Sequence, residues 1–201
     1  MRRKTNPKRQ SILDAAVELF LEKGFAKTTM GEINVKAGCS KRTLYSYFSS
    51  KDELFVESVI SHLEEYLKDI ASTLYDPQAD LKTVLHKLVG DSLRIGYSPG
   101  MVAFRRMAIA EAERSGIGIL LFEKAKSWQA GIASILAKAM DEGRLRHGDP
   151  LLAALHLRAL QGAEFLEPCL LGVLQTPLDE AIITKAADRA VTAFLRIYAP
   201  D

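Results

Sequence analysis

The chain has 201 residues, 48% hydrophobic and 26% charged, with a formal net charge of +2, few Gly and Pro, and two cysteines. That profile fits one large or two small helix-rich globular domains with ample apolar content for a core. It argues against a membrane protein, since no apolar run nears the roughly 18–20 residues of a membrane helix, and against a secreted one, since the charged start has no apolar stretch behind it. Cys39 and Cys169 form neither a disulfide framework nor a metal spacing, and His62, His86, His147 and His156 are scattered. The cytosol is the expected compartment.

In chain order, Met1 to Arg9 (MRRKTNPKR) reads as a flexible basic arm whose five cations could follow phosphates. Pro7 discourages an earlier helix start. A first helix follows, with Ile12, Ala16, Leu19 and Phe20 on one stripe, stopped by Gly24 with Phe25 just beyond. Thr28 and Thr29 offer N-cap oxygens to a short second helix carrying Met30, Ile33 and Ala37 inward, and Gly38 breaks it. Ser40 caps a third helix with Leu44 and Phe48 one turn apart. Ser50-Lys-Asp-Glu53 is a capping box for a fourth, whose stripe runs Phe55, Val59, Leu63, Tyr66, Ile70. Beyond it the periodicity predicts helices near 79–96, 100–114, 118–142, 150–171 and 178–198, with no strand or hairpin signal. Ser98-Pro99-Gly100 and Gly143 punctuate them. Asp149-Pro150 and Thr176-Pro177 each place a capping residue before a first-turn proline, and Pro168 should kink or shorten its helix. The fold class is all-α: a three-helix N-terminal domain, then a larger C-terminal bundle, about nine helices in all.

The charge is unevenly spread. Residues 1–51 hold eleven Lys and Arg against four acids, a net +7, and residues 52–201 hold sixteen against twenty-one, a net −5. A basic head on an acidic body fits a polyanion partner at one end, though a solvated basic surface gives the same count. The motif decides between them. Two short helices joined by Ala37-Gly38-Cys39-Ser40 make a helix-turn-helix candidate. On the third helix Leu44, Tyr47 and Phe48 cluster on one side, while Lys41, Arg42, Tyr45 and Ser46 fan over the other, with Thr43 between. Such a face can bond guanine O6 and N7 through Arg or Lys and touch a thymine methyl through Tyr or Thr. Thr28, Thr29, Tyr47 and Lys51 flank it at helix ends, where phosphates can be held. Cys39 in the turn is either a small apolar filler or a redox-sensitive thiol.

From Arg9 to Leu54 the sequence resembles the TetR/AcrR family of bacterial one-component regulators. The family pattern stands here as ILDAAVELFLEKGFAKTTMGEI (Ile12 to Ile33) and KAGCSKRTLYSYFSSKDEL (Lys36 to Leu54). The resemblance implies that Ser40 to Phe48 reads bases through Lys41, Arg42 and Tyr45. It also implies that Thr29, Thr43, Tyr47 and Lys51 lie at phosphate-contacting positions. Asn34, where the family has a small alanine, and Gly31, where it often has a longer side chain, depart from the pattern. The segments FRRMAIAEAERSG (Phe104 to Gly116) and DEGRLRHGDP (Asp141 to Pro150) look like the C-terminal domain of an AcrR-like subgroup. The expected division is a reader domain over 8–67 and a regulatory and dimerisation domain over 68–201.

The resemblance implies a homodimer on a palindromic double-stranded operator and an unknown, largely apolar effector. Stripes of small and apolar residues (Leu155, Ala159, Gly162, Leu166; Ile183, Ala187, Val191, Phe194, Leu195, Tyr198) suit a four-helix dimer interface or an intrachain core. Phe104, Met107, Phe122, Trp128, His156 and Phe165 suit an effector pocket with Gln161 or Glu164 as anchors, or ordinary core. No nucleophile elbow, P-loop, Rossmann glycines or metal cluster points to catalysis or to a cofactor.

Overall fold

The computed structural model describes residues 7–61, 80–113 and 117–200. Among these residues every regular element is a helix: α1 (Pro7–Lys27), α2 (Met30–Lys36), α3 (Lys41–Tyr47), α4 (described over 51–61), α5 (Leu81–Gly96), α6 (Pro99–Glu111), α7 (Ile117–Asp141), α8 (Pro150–Gly162), α9 (Leu166–Leu171) and α10 (Glu180–Tyr198). The all-α expectation holds, with ten helices rather than nine. The chain divides into two compact units, residues 1–64 with 103–123 and residues 65–102 with 124–201.

The N-terminal unit forms because the apolar stripe of α1 has an aromatic cluster to meet. Ile12, Ala16 and Phe20 are fully buried and Leu19 nearly so. At Gly24 the backbone leaves the helix (φ 77°, ψ 167°), a conformation that a side chain would oppose. That break turns Phe25 back inward, where its ring lies 5.7 Å from Phe20 and 5.1 Å from Phe55, and Phe55 meets Phe20 at 5.2 Å. Phe104 of α6 closes the cluster at 5.3 Å from Phe55. Phe55 and Val59 of the expected α4 stripe are buried, whereas Leu63, Tyr66 and Ile70 lie outside the described residues. The α4 capping box is only half as expected. Glu53 donates its N–H to Ser50 Oγ at 3.0 Å, but its carboxylate accepts from Ser49 rather than from Ser50.

In the second unit α10 lies against α5 and α8. Its buried residues Ile183, Ala186, Ala187, Ala190, Val191, Phe194 and Tyr198 join Leu85, Leu88, Val89 and Leu93 of α5 and Ala153, Ala154 and Leu157 of α8. The C-terminus of α10 is finished from a loop: Arg146 donates its N–H to Tyr198 O and its guanidinium to Ile197 O. A cation at the negative end of a helix is favourably placed.

Three expectations change here. The predicted helix over 150–171 is two, because Phe165 leaves the helical region (φ −120°) to bury its ring on Tyr97. Pro168 then falls in the first turn of α9, where a missing N–H costs nothing. Thr176-Pro177 does not open the last helix; Leu178 is buried first and Asp179 is the N-cap residue. Of the proposed dimer residues, Ala187 and Val191 are intrachain core, because the stripe of α10 is consumed by α5 and α8. Gly162 also faces inward, since a Cβ there would lie 3.3 Å from Tyr97 Oη, and Leu195 packs at the edge of the core. Leu155, Ala159 and Leu166 stay exposed.

Phe55 touches three rings, so Phe55→Ala should cost about 3–5 kcal/mol of stability. Urea unfolding followed by circular dichroism measures it.

Candidate nucleic-acid interface

The α2–turn–α3 unit is set by local chemistry. Thr29 caps α2 in a complete capping box. It accepts from Glu32 N at 3.2 Å, and Glu32 Oε2 accepts from Thr29 N at 2.9 Å. Gly38 takes φ +58° to turn the chain, and Ser40 Oγ accepts from Thr43 N at 3.1 Å to start α3. Asn34 adds a polar contact absent from the usual pattern, its Nδ2 donating to Cys39 O across the turn at 3.1 Å. Cys39 itself is half-buried. At Gly31 a Cβ would meet nothing nearer than Thr29 Oγ1 at 3.7 Å, so α2 has room there for a longer side chain.

Long-range side chains then fix how α3 is aimed. Lys8 Nζ donates to Gly38 O at 2.8 Å and lies 3.4 Å from Ala37 O, at the end of α2. Lys51 Nζ donates to Phe25 O at 2.8 Å and Thr28 O at 3.0 Å, over the Phe25 ring at 4.3 Å. Arg9 binds Glu57 at 2.6 Å and lies 5.3 Å from the centre of the Phe48 ring. None of these contacts is legible from spacing. They correct the reading of the arm: α1 starts at Pro7, which suits a first helical position, so Lys8 and Arg9 are helical and engaged. Arg2, Arg3 and Lys4 lie outside the described residues.

Two flanking assignments also change. Thr28 is 1% exposed, and its hydroxyl donates inward to Leu19 O and Gly24 O. It terminates α1 and offers nothing to a phosphate. Lys51 has two of its three protons on carbonyls, so it first serves as a strut between α4 and the α1–α2 turn. Thr29 is exposed but its hydroxyl bonds Glu32, Thr43 Oγ1 lies 2.9 Å from Ser40 Oγ, and Tyr47 is half-buried with its ring 6.5 Å from Phe48.

Lys41, Arg42 and Tyr45 form the outward face of α3. All three are exposed, Tyr45 at 53%, and neither cation has a side-chain partner among the described residues. Leu44 and Phe48 on the opposite side are buried. An outward helix face with two unanswered cations and a ring is chemistry for a base edge or a phosphate.

Two ion pairs tie α1 to α2: Lys36 with Glu18 at 2.6 Å and Lys23 with Glu32 at 2.8 Å. The Lys23 ammonium holds the Glu32 carboxyl down to about 2, helped by the backbone N–H and then the hydroxyl of Thr29. Lys23 is raised in return, first by its hydrogen bond to Glu32. Both side chains are 38% exposed, so salt screens the pair.

The six effector candidates are dispersed. Phe104 (buried on Phe55), Met107 (half-buried) and Phe122 (63% exposed) belong to the N-terminal unit, so Phe104 is reader core. In the second unit His156 Nδ1 lies 2.7 Å from Tyr198 Oη, and burial pushes that tyrosine up. Phe165 packs on Tyr97, and Trp128 lies half-buried at the core edge. The anchors are engaged too, Gln161 with Ser92 at 3.0 Å and Glu164 with Arg189. Among the described residues no His, Cys, Asp and Glu group could hold a metal, and no helix is long and apolar enough to cross a membrane.

A glycine-turned helix pair with its second helix cationic on the outside and locked from behind defines a helix-turn-helix DNA-binding regulator. Residues 12–57 match the model of the tetR family of bacterial regulatory proteins, and residues 83–200 match the C-terminal domain of AefR-like transcriptional repressors. The chain belongs to the TetR family. It is similar to the uncharacterized HTH-type regulator YvdT of Bacillus subtilis, 36% identical over 95 residues, 47% of this chain and 48% of that protein. It thus spans about half the length of that relative. A Mesorhizobium loti protein solved as a TetR-family regulator is 31% identical, with a TM-score of 0.84 over 98% of this chain and 100% of that one. The flavonoid-responsive regulator FrrA is 28% identical, with a TM-score of 0.73 over 98% and 99%.

Two outcomes are expected. Lys51→Ala, which loses two charge-assisted bonds, should cost about 2 kcal/mol in urea unfolding; unchanged stability would mean the strut is idle. Because the folded state favours ionised Glu32, its contribution is complete above about pH 4.5 and disappears as pH falls through about 2. Glu32→Gln should therefore flatten the acid limb of the stability profile in that window. An NMR titration of the Glu32 carboxyl gives the midpoint directly.

Proposed function

We propose that the protein is a homodimeric, ligand-responsive repressor in the bacterial cytosol that binds a palindromic operator through the outward face of α3. The reader domain is residues 8–67 and the regulatory and dimerisation domain 68–201. The observation that carries this reading is the pair Lys41 and Arg42, exposed beside Tyr45 and unanswered, on a helix whose other side is buried. Thr29, Thr43 and Tyr47 flank that face and touch the phosphates. Repression is favoured over activation by the repressor family whose C-terminal domain the chain matches. The chain performs no catalysis.

The dimer face is the exposed side of α8. Leu151, Leu152 and Leu155, at 48%, 46% and 44% exposure, lie with Ala159 on the helix side away from Ala153, Ala154 and Leu157, and Leu166 continues the apolar surface. A twofold pair brings two recognition helices to successive major grooves, about 34–36 Å apart. An effector works by favouring a conformation in which that spacing is wrong. A hundredfold loss of operator affinity needs only about 2.7 kcal/mol. The flavonoid response in the name of FrrA supports a small, largely apolar effector.

The operator is recovered by selecting sites from a random DNA pool with the pure protein. On that site Arg42→Ala or Lys41→Ala should cost about 1–3 kcal/mol and relax the choice of base, with a smaller effect on random DNA. Equal losses on both DNAs would refute base reading. Leu155→Glu places a charge in the dimer face, and light scattering should find folded monomers with weak operator binding. Folded dimers from that variant would move the interface off α8. Val191→Glu, in contrast, should fail to fold.

A further inference from the structure

One edge of α8 carries a charge that no described carboxylate of its unit answers. Arg158 Nη1 donates to Gln129 Oε1 of α7 at 3.2 Å, and the guanidinium has no acidic partner among the described residues. Gln129 is 4% exposed. Because the guanidinium only donates, the amide must turn its oxygen to Arg158. That leaves Gln129 Nε2 buried with no acceptor, and Trp128 Nε1, one residue earlier, is in the same position. Buried N–H groups without partners are rare in folded proteins and call for an explanation.

Among the described residues the carboxylates of the second unit do not supply one. Asp91, Glu142, Glu164, Glu180 and Asp188 are paired with basic side chains. Asp80 and Asp149 cap helices, and Asp141, Glu167 and Asp179 are exposed. Among the described residues, both unmet groups on this stretch of α7 are N–H donors, a fixed positive charge lies beside Gln129, and no carboxylate is buried. On the same helices, one turn or less along the chain, Leu157 and Ala154 of α8 and Ile132 and Ala133 of α7 are buried members of the core.

We propose that Gln129 and Arg158 form the polar end of the effector site and that the effector is an apolar acid. Its anionic oxygens accept from Gln129 Nε2 and from the guanidinium, and its hydrocarbon lies against the α7–α8 core. This rests on the effector-responsive reading above. The same helix carries Leu155 of the dimer face three residues before Arg158, so a ligand that shifts α8 acts directly on subunit spacing.

The test uses the full-length protein and two size-matched probe sets: decanoate, decanol and decylammonium; 2-naphthoate, 2-naphthylmethanol and 2-naphthylmethylammonium. Calorimetry should show the acid binding at least tenfold tighter than the alcohol in at least one set. Gln129→Leu and Arg158→Met should each abolish that preference, with acid binding falling at least tenfold more than alcohol binding. Alcohols or ammonium ions that match the acids, or a preference that survives both substitutions, would overturn the assignment. Anisotropy of the selected operator separates the two levels. Release by neutral or cationic probes alone defeats the acid assignment and leaves the effector reading intact. If no probe binds or releases DNA, both fall.

Discussion

Backbone carbonyls at and just beyond the C-terminal ends of α1 and α2 are each reached by a lysine ammonium from a distant part of the chain. Lys51 reaches from α4 to Phe25 O and Thr28 O, and Lys8 reaches from the start of α1 to Gly38 O. A charged donor on a helix-terminal carbonyl combines a strong hydrogen bond with favourable interaction at the negative end of the dipole. These two lysines bracket α2, so the short α3 inherits its direction from the longer α1 and α4. A seven-residue helix has little stability of its own. Its rigidity is borrowed.

The rest of the unit is consistent with that dependence. Phe48 ends α3 with its ring buried and Arg9 across it, while Asn34 spans the turn to Cys39 O. With the inner side fixed by burial and the turn fixed by hydrogen bonds, only Lys41, Arg42, Tyr45 and Ser46 are left to face outward. Base reading demands that donors be held in place before the DNA arrives, since ordering them on contact would consume affinity.

Much of this was written locally. Gly24, Thr29, Gly38 and Ser40 are short-range signals, and each produced the expected break or cap. What the sequence hides is which distant atom a long side chain will find. Lys8 and Gly38 are thirty residues apart, and Arg9 and Glu57 forty-eight, so only the packed chain brings them within reach. The stripe on α10 illustrates a second limit. Periodicity identifies Val191 and Phe194 as buried but cannot say whether the covering surface belongs to the same chain, and here α5 and α8 supply it. At 163–165 the helix breaks one turn before Pro168, as that proline leads one to expect, but the packing of the Phe165 ring on Tyr97 at the break is not legible in the sequence.

The internal use of lysine and arginine changes what the basic head can exchange with solvent ions. Of the eight cations between residues 7 and 51, Lys8, Arg9, Lys23, Lys36 and Lys51 are bonded within the unit, which leaves Lys27, Lys41 and Arg42 without such bonds. Counterion release on a duplex scales with the phosphates neutralised, about 0.9 ions for each, and not with the protein's formal charge. The described part of each reader thus displaces at most about three ions rather than eight. Within residues 7–51 five of the eight cations are spent on architecture, which leaves the smaller part of that charge to exchange ions with a polyanion.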